Sequence, residues 1–161
     1  MKKTAVTNND LIYLYPANLV VPVPPRVVHT ILGSCVAVCL HDSENNIGGI
    51  NHYMLPFWNG QGLPSPKYGN IAIEKLLEKL IASGAVRKNI IAKIFGGGEV
   101  IQNMNTQFNI GQRNILVAEE ILSELKIPII AQSTGGKLGR KIIFNSLNGE
   151  VIQRYVQSSI K

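Results

Sequence analysis

The chain has 161 residues, 45% of them hydrophobic and 16% charged, and Lys+Arg 16 against Asp+Glu 10 gives a formal net charge of +6 at pH 7. That length and balance predict one globular domain over residues 1–161 and exclude a disordered tail, a collagen-like repeat and a coiled coil. The basic residues are scattered, with Lys137, Arg140 and Lys141 as their densest group. A nucleic-acid binder gathers its charge on one stripe with aromatics between, so the excess reads as a solvated surface and no nucleic-acid partner is expected.

Met1-Lys2-Lys3 begins like a secretory leader, but residues 4–11 carry Thr, Asn and Asp where a leader is apolar. No apolar stretch approaches the ~18 residues that cross a bilayer, so no membrane insertion is expected. Cys35 and Cys39 lie too close together to staple a fold with a disulfide. These readings predict a cytoplasmic protein whose thiols stay reduced and can react.

In chain order, residues 11–15 form a short β-prone run stopped by Pro16, and residues 21–25, with three prolines, read as extended or looped. Residues 27–40 read as apolar strand around a break at Gly33-Ser34, residues 42–46 as a turn, and residues 49–55 as the returning strand. Residues 57–67 form a Gly/Pro-rich loop, where Phe57 and Trp58 offer a docking edge or pack in the core. Ile73, Leu76, Leu77, Leu80 and Ile81 mark one buried helix face, with Gly84 at its C′ position. A strand over 90–95 ends in Gly96-Gly97-Gly98, whose spacing fits a tight turn or close backbone approach and not a phosphate loop. A second helix over 109–126 carries Ile115, Ala118, Leu122 and Leu125 on one stripe, followed by a strand over 127–131. Residues 141–146 and 151–156 flank Asn148-Gly149, a hairpin signal in which both residues tolerate positive φ. The predicted class is α+β, with helices packed on mainly antiparallel or mixed β layers.

Cys35 and His52 form the first pair with chemistry. If 42–46 turns the chain, Leu40 pairs with Gly48, Cys35 falls opposite Tyr53 and diagonal to His52, and Cys39 falls opposite Gly49. Diagonal side chains lie ~7–8 Å apart, within reach if the strand bends, and Gly33-Ser34 makes such a bend cheap. A free thiol has a pKa of ~8.5; a neighbouring imidazolium lowers it and can then protonate a poor leaving group such as ammonia. Cys39 reads as a small buried hydrophobe. His29, His41 and His52 have no metal-ligand spacing, and no metal or other cofactor is expected.

Six ordered blocks carry a resemblance. Thr30-Ile31-Leu32-Gly33-Ser34-Cys35-Val36-Ala37-Val38-Cys39-Leu40 and Gly48-Gly49-Ile50-Asn51-His52-Tyr53-Met54-Leu55-Pro56 resemble the signature of the CheD family, the chemoreceptor glutamine deamidases. Tyr68-Gly69, Lys93-Ile94-Phe95-Gly96-Gly97-Gly98, Asn109-Ile110-Gly111-Gln112-Arg113-Asn114, and Thr134-Gly135-Gly136 through Gly139-Arg140 match in order, so that the likeness runs from about Tyr13 to Val156. The resemblance implies Cys35 as nucleophile, His52 as its base and then acid, and Thr30 as the group that orients the imidazole, with His29 as the competing position. It also implies hydrolysis of glutamine side chains on the cytoplasmic helices of chemoreceptors, with no cofactor. Backbone N–H groups about Gly33, Ser34 and Cys35 are the expected oxyanion donors. The implied fold is similar to the catalytic domain of cytotoxic necrotizing toxins, and the implied regulatory partner is the CheC phosphatase. The alternatives are a binding module that regulates CheC or receptors with Cys35 idle, and a cysteine amidase acting on another protein.

Overall fold

The computed structural model describes residues 11–99 and 109–156; the leader-like start of the chain, residues 1–10, lies outside them. Two mixed sheets stack face to face, and two helices cover the free side of one of them. The first sheet has five strands: β2 (Asn18–Val20), β5 (Ile47–His52), β4 (Val36–Asp42), β6 (Ile90–Gly96) and β7 (Ile129–Thr134), in that order across the sheet. The second has four, in the order β1 (Leu11–Tyr13), β3 (Val27–Leu32), β8 (Gly139–Asn145) and β9 (Val151–Val156). Pairings are antiparallel except β1 with β3 and β6 with β7. The predicted α+β class with mixed β layers is the observed one.

β4 is the centre of the molecule. Every residue of Val36–Asp42 is buried, because both neighbouring strands and both faces are covered. Its side chains alternate between two cores, as the period of two requires. Val36, Val38 and Leu40 pack with α1 (Gly69–Ala82) and α2 (Ile110–Glu124); Ala37 and Cys39 pack toward the second sheet with Val28, Leu32, Ile142 and Phe144. In α1, Ile73, Leu76, Leu77 and Leu80 are buried as predicted, whereas Ile81 is exposed. The helix ends in a Schellman turn: the Gly84 N–H donates to the Ile81 carbonyl and the Ala85 N–H to that of Leu80, with Gly84 at φ +114°.

Three expectations need correction. Residues 27–40 are not one interrupted strand: β3 and β4 belong to different sheets, and residues 33–35 carry the chain from one to the other. The β4–β5 register is one residue away from the predicted one. Leu40 faces Gly49, Cys39 faces Ile50 and Val36 faces Tyr53. The cause is Asp42, which stays in the strand opposite Ile47. Its carboxylate accepts hydrogen bonds from the Glu44 and Asn45 N–H groups and the Asn45 side chain, closing the turn over residues 43–46, and from the Val86 N–H. Finally, β8 and β9 close at Phe144 and Val151 around a longer loop in which Gly149 has positive φ and Asn148 does not. A Cβ at Gly149 would meet the His41 ring at 2.8 Å. β2, between Pro16 and Pro22, was not predicted.

Asp42→Ala should destabilise the protein by about 2–4 kcal/mol, since four part-buried hydrogen bonds of the turn and of Val86 lose one charged, buried acceptor together. Urea denaturation should show a lower midpoint at unchanged slope.

Candidate active site

The corrected register brings the predicted residues to one face. His52 falls opposite Ala37, so its side chain enters the space between the sheets, as those of Ala37 and Ile50 do. Cys35 has the parity of Ala37 and Cys39 and packs against the same inter-sheet cluster. The predicted register would have set Cys35 and His52 on opposite faces; one residue of slip reverses that. Thr30 lies between Val28 and Leu32 on β3, and both of those neighbours face the same space from the other sheet. The site therefore sits at one end of the sandwich, where the chain crosses between sheets.

Thr30 and His52 are buried and in direct contact. Thr30 Oγ1 lies 2.7 Å from the Leu14 carbonyl oxygen and 2.7 Å from His52 Nδ1. A hydroxyl has one proton, and a carbonyl can only accept. Thr30 therefore donates to Leu14 and accepts from His52, which puts the ring proton on Nδ1. The other ring nitrogen, Nε2, is buried and has no partner among the described residues. Burial lowers the His52 pKa to about 4, so the imidazole is neutral with its Nε2 lone pair free. His29, the competing position, lies on the outer face of β3, its ring edge-on to Tyr13 at 5.1 Å between centroids.

Cys35 is partly exposed, and burial pushes its thiol up from the usual value while a hydrogen bond from its own backbone pulls it down. The thiol and imidazole are thus both neutral at pH 7, in place of the ion pair predicted from the sequence. Cys39 is buried, and desolvation raises its thiol well above the usual range.

The segment before Cys35 is held by its carbonyls. Those of Gly33, Ser34 and Cys35 accept hydrogen bonds from the Gly98 N–H, Asn114 Nδ2 and the Gly97 N–H at 2.9, 3.0 and 2.9 Å. Among the described residues the N–H groups of Ser34 and Cys35 have no backbone acceptor. The glycine run after β6 makes this close approach possible: Gly96 has φ +106°, and a Cβ there would collide with the Cys35 carbonyl. Arg140, 2% exposed, fixes the same turn through the Gly96 and Gly135 carbonyls. Phe57 is exposed, whereas Trp58 is tied into its loop by hydrogen bonds to Asn70 and Gln61.

Sequence reasoning assigned no role to Asn114 or Arg140. Asn114 did leave a signal, a polar residue one turn before Ala118 on the apolar stripe of the second helix. Arg140 belongs to the basic group expected on a solvated surface and to the last sequence block; the structure corrects the first reading, since it is 2% exposed.

The model of a family described as CheD chemotactic sensory transduction matches residues 54–155. The chain belongs to the CheD family. It is 50% identical over 149 residues to a probable chemoreceptor glutamine deamidase CheD of Sulfurimonas denitrificans, covering 91% of this chain and 95% of that one. A protein of the same description from Trichlorobacter lovleyi is 46% identical over 140 residues, 87% of each chain. A third, from Rhodospirillum rubrum, is 39% identical over 148 residues, 92% of this CheD chain and 84% of the relative. The family match begins after Cys35 and His52, so the assignment of those residues rests on the geometry above. No helix among the described residues is long and apolar enough to cross a membrane.

Because the His52 pKa falls from 6.5 unfolded to about 4 folded, the unfolded chain takes up this proton first on acidification. The stability contributed by neutral His52 should be complete above pH 6.5 and decline as pH falls toward 4. Urea midpoints between pH 4.5 and 7.5 should fall less steeply on acidification in His52→Gln than in the wild type.

Proposed function

We propose that this CheD protein hydrolyses the side-chain amide of glutamines on the cytoplasmic helices of chemoreceptors, giving glutamate and ammonia. The observation that carries the reading is the Thr30–His52 hydrogen bond, which leaves His52 Nε2 free on the face where Cys35 lies. The names of the relatives supply the substrate class.

In the proposed mechanism His52 Nε2 removes the Cys35 Sγ proton as the sulfur attacks the carboxamide carbon. A neutral base matched to a neutral thiol makes this general-base catalysis, with no standing thiolate. The Ser34 N–H stabilises the oxyanion, joined by the Cys35 N–H as it turns from its own sulfur to the oxyanion, since neither donor has a backbone acceptor among the described residues. The imidazolium gives its proton to the departing nitrogen, which leaves as ammonia. Water, deprotonated by the same Nε2, then attacks the thioester carbonyl carbon; glutamate leaves and the sulfur takes back its proton. Thr30 holds the ring in the Nδ1–H tautomer throughout and does not itself give up a proton.

The resemblance also motivates the CheC phosphatase as regulatory partner and a fold shared with the toxin catalytic domain, both as parts of the same proposal.

Cys35→Ala should abolish conversion of receptor glutamine to glutamate, read by mass spectrometry of a co-expressed receptor fragment, and Cys39→Ala should retain most of it. The reverse pattern in folded variants would refute the nucleophile. Thr30→Val should lower kcat by ~10²–10⁴, the range for disturbed acid–base catalysis, while His29→Ala stays within a few-fold of wild type. The acid limb of kcat/KM should fall near pH 4, where His52 takes up its proton.

A further inference from the structure

We infer that Asn114 is a positioning residue that holds the thiol-bearing loop and the imidazole-bearing strand at a fixed separation. This inference rests on Cys35 and His52 being the reacting pair.

Asn114 is 0% exposed in the first turns of α2, where every buried neighbour is apolar or glycine. Its Nδ2 donates one proton to the Ser34 carbonyl and the other to the Met54 carbonyl, both at 3.0 Å. Ser34 immediately precedes Cys35, and Met54 lies two residues beyond His52. One amide group thus ties both reacting segments to the same helix. Its orientation follows from its partners, because a flipped amide would point Oδ1 at two carbonyl oxygens. Oδ1 has no partner among the described residues, so the site uses this side chain for its donors alone.

The helix is itself anchored at this point. The Tyr53 hydroxyl donates to the Asn114 backbone carbonyl at 2.6 Å. In the same turn, Gly111 packs on Gly97 so closely that a Cβ would collide with it, and the Gly97 N–H holds the Cys35 carbonyl. β4 and β5 are tied directly by the Val36–Tyr53 bridge, with N···O distances of 3.1 and 3.0 Å, by the Val38 N–H donating to Asn51 Oδ1 at 2.8 Å, and by the ladder beyond Cys39, but all of these begin after Cys35. The Gly97 and Gly98 N–H groups hold the Cys35 and Gly33 carbonyls to the turn after β6, so losing the Asn114 donors frees the Ser34 peptide and removes the link from this loop to Met54, letting the loop shift against His52. A misplacement of about 1 Å at a reacting centre costs on the order of 10²-fold in rate. Asn114 is 0% exposed and presents no surface to a receptor helix, so the loss falls on kcat and not on KM.

The test uses the full chain with Asn114→Ala and with Asn114→Asp, which keeps the volume and removes the paired donors. Ammonia release from a receptor fragment and iodoacetamide alkylation of Cys35 are followed at pH 7, with circular dichroism to establish folding. Expected is a loss of ~100-fold in kcat with KM within about three-fold, and alkylation of Cys35 slowed ~10-fold as His52 loses its hold on the thiol proton. A folded variant within about three-fold of wild type in both readouts, or one changed in KM alone, overturns the inference. If neither variant folds, Tyr53→Phe, which frees the same turn of α2 at nearly constant volume, should slow both readouts in the same direction; wild-type rates there also overturn it. Alkylation needs no receptor. A wild type that releases no ammonia would therefore refute the proposed function, while the Cys35 alkylation rates still decide the role of Asn114.

Discussion

The site depends on a hydroxyl that has one proton to give. Thr30 spends it on the Leu14 carbonyl, so it can only accept from His52, and the imidazole is left as a neutral base with one free lone pair. Remove the Leu14 carbonyl and the hydroxyl could donate to Nδ1, which would move the ring proton to Nε2 and close the lone pair that the proposed mechanism uses. The tautomer of one ring is therefore set by a backbone atom of a segment sixteen residues before the threonine. Burial reinforces it by holding the ring neutral well below the ordinary histidine range.

The two-sheet architecture is what brings these groups together. Thr30 comes from the four-stranded sheet and His52 from the five-stranded one, so their contact exists only because the sheets stack. Cys35 sits on the segment that crosses between them, where no ladder bond fixes the backbone. In the proposed mechanism that freedom serves the attacking sulfur and must be limited. The glycines after β6, the Arg140 guanidinium behind them and the Asn114 amide each hold a carbonyl of that segment or of the turn that supports it. A buried guanidinium bonded to neutral carbonyls is costly in isolation, and its place here is consistent with rigidity at the crossing point being worth that cost.

Much of this was legible in the sequence, and the failures have identifiable causes. The helix stripes, the α+β class and the residue types Cys35, His52 and Thr30 follow from periodicity and from the family resemblance. The sequence favours Thr30 over His29 on chemistry, because a hydroxyl orients an imidazole without adding a second titrating ring; which face of β3 looks inward is visible only in the structure, where Thr30 looks in and His29 out. The β4–β5 register expected from the sequence differs by one residue from the observed one because Asp42 reads as turn. An aspartate reads as a loop residue from its propensity, yet here its carboxylate gathers the turn donors from within the strand. The protonation states were not legible at all. Proximity of Cys35 to His52 suggests an ion pair, but desolvation acts on both groups and favours the neutral forms.

The most direct test of this account is the tautomer of His52 in the resting protein, read from ¹⁵N chemical shifts and one-bond proton couplings of the labelled ring as a function of pH. The account predicts a proton on Nδ1, none on Nε2, and no protonation of the ring until the pH approaches about 4. A proton on Nε2 at neutral pH, or a ring that titrates near the ordinary histidine value, would contradict it.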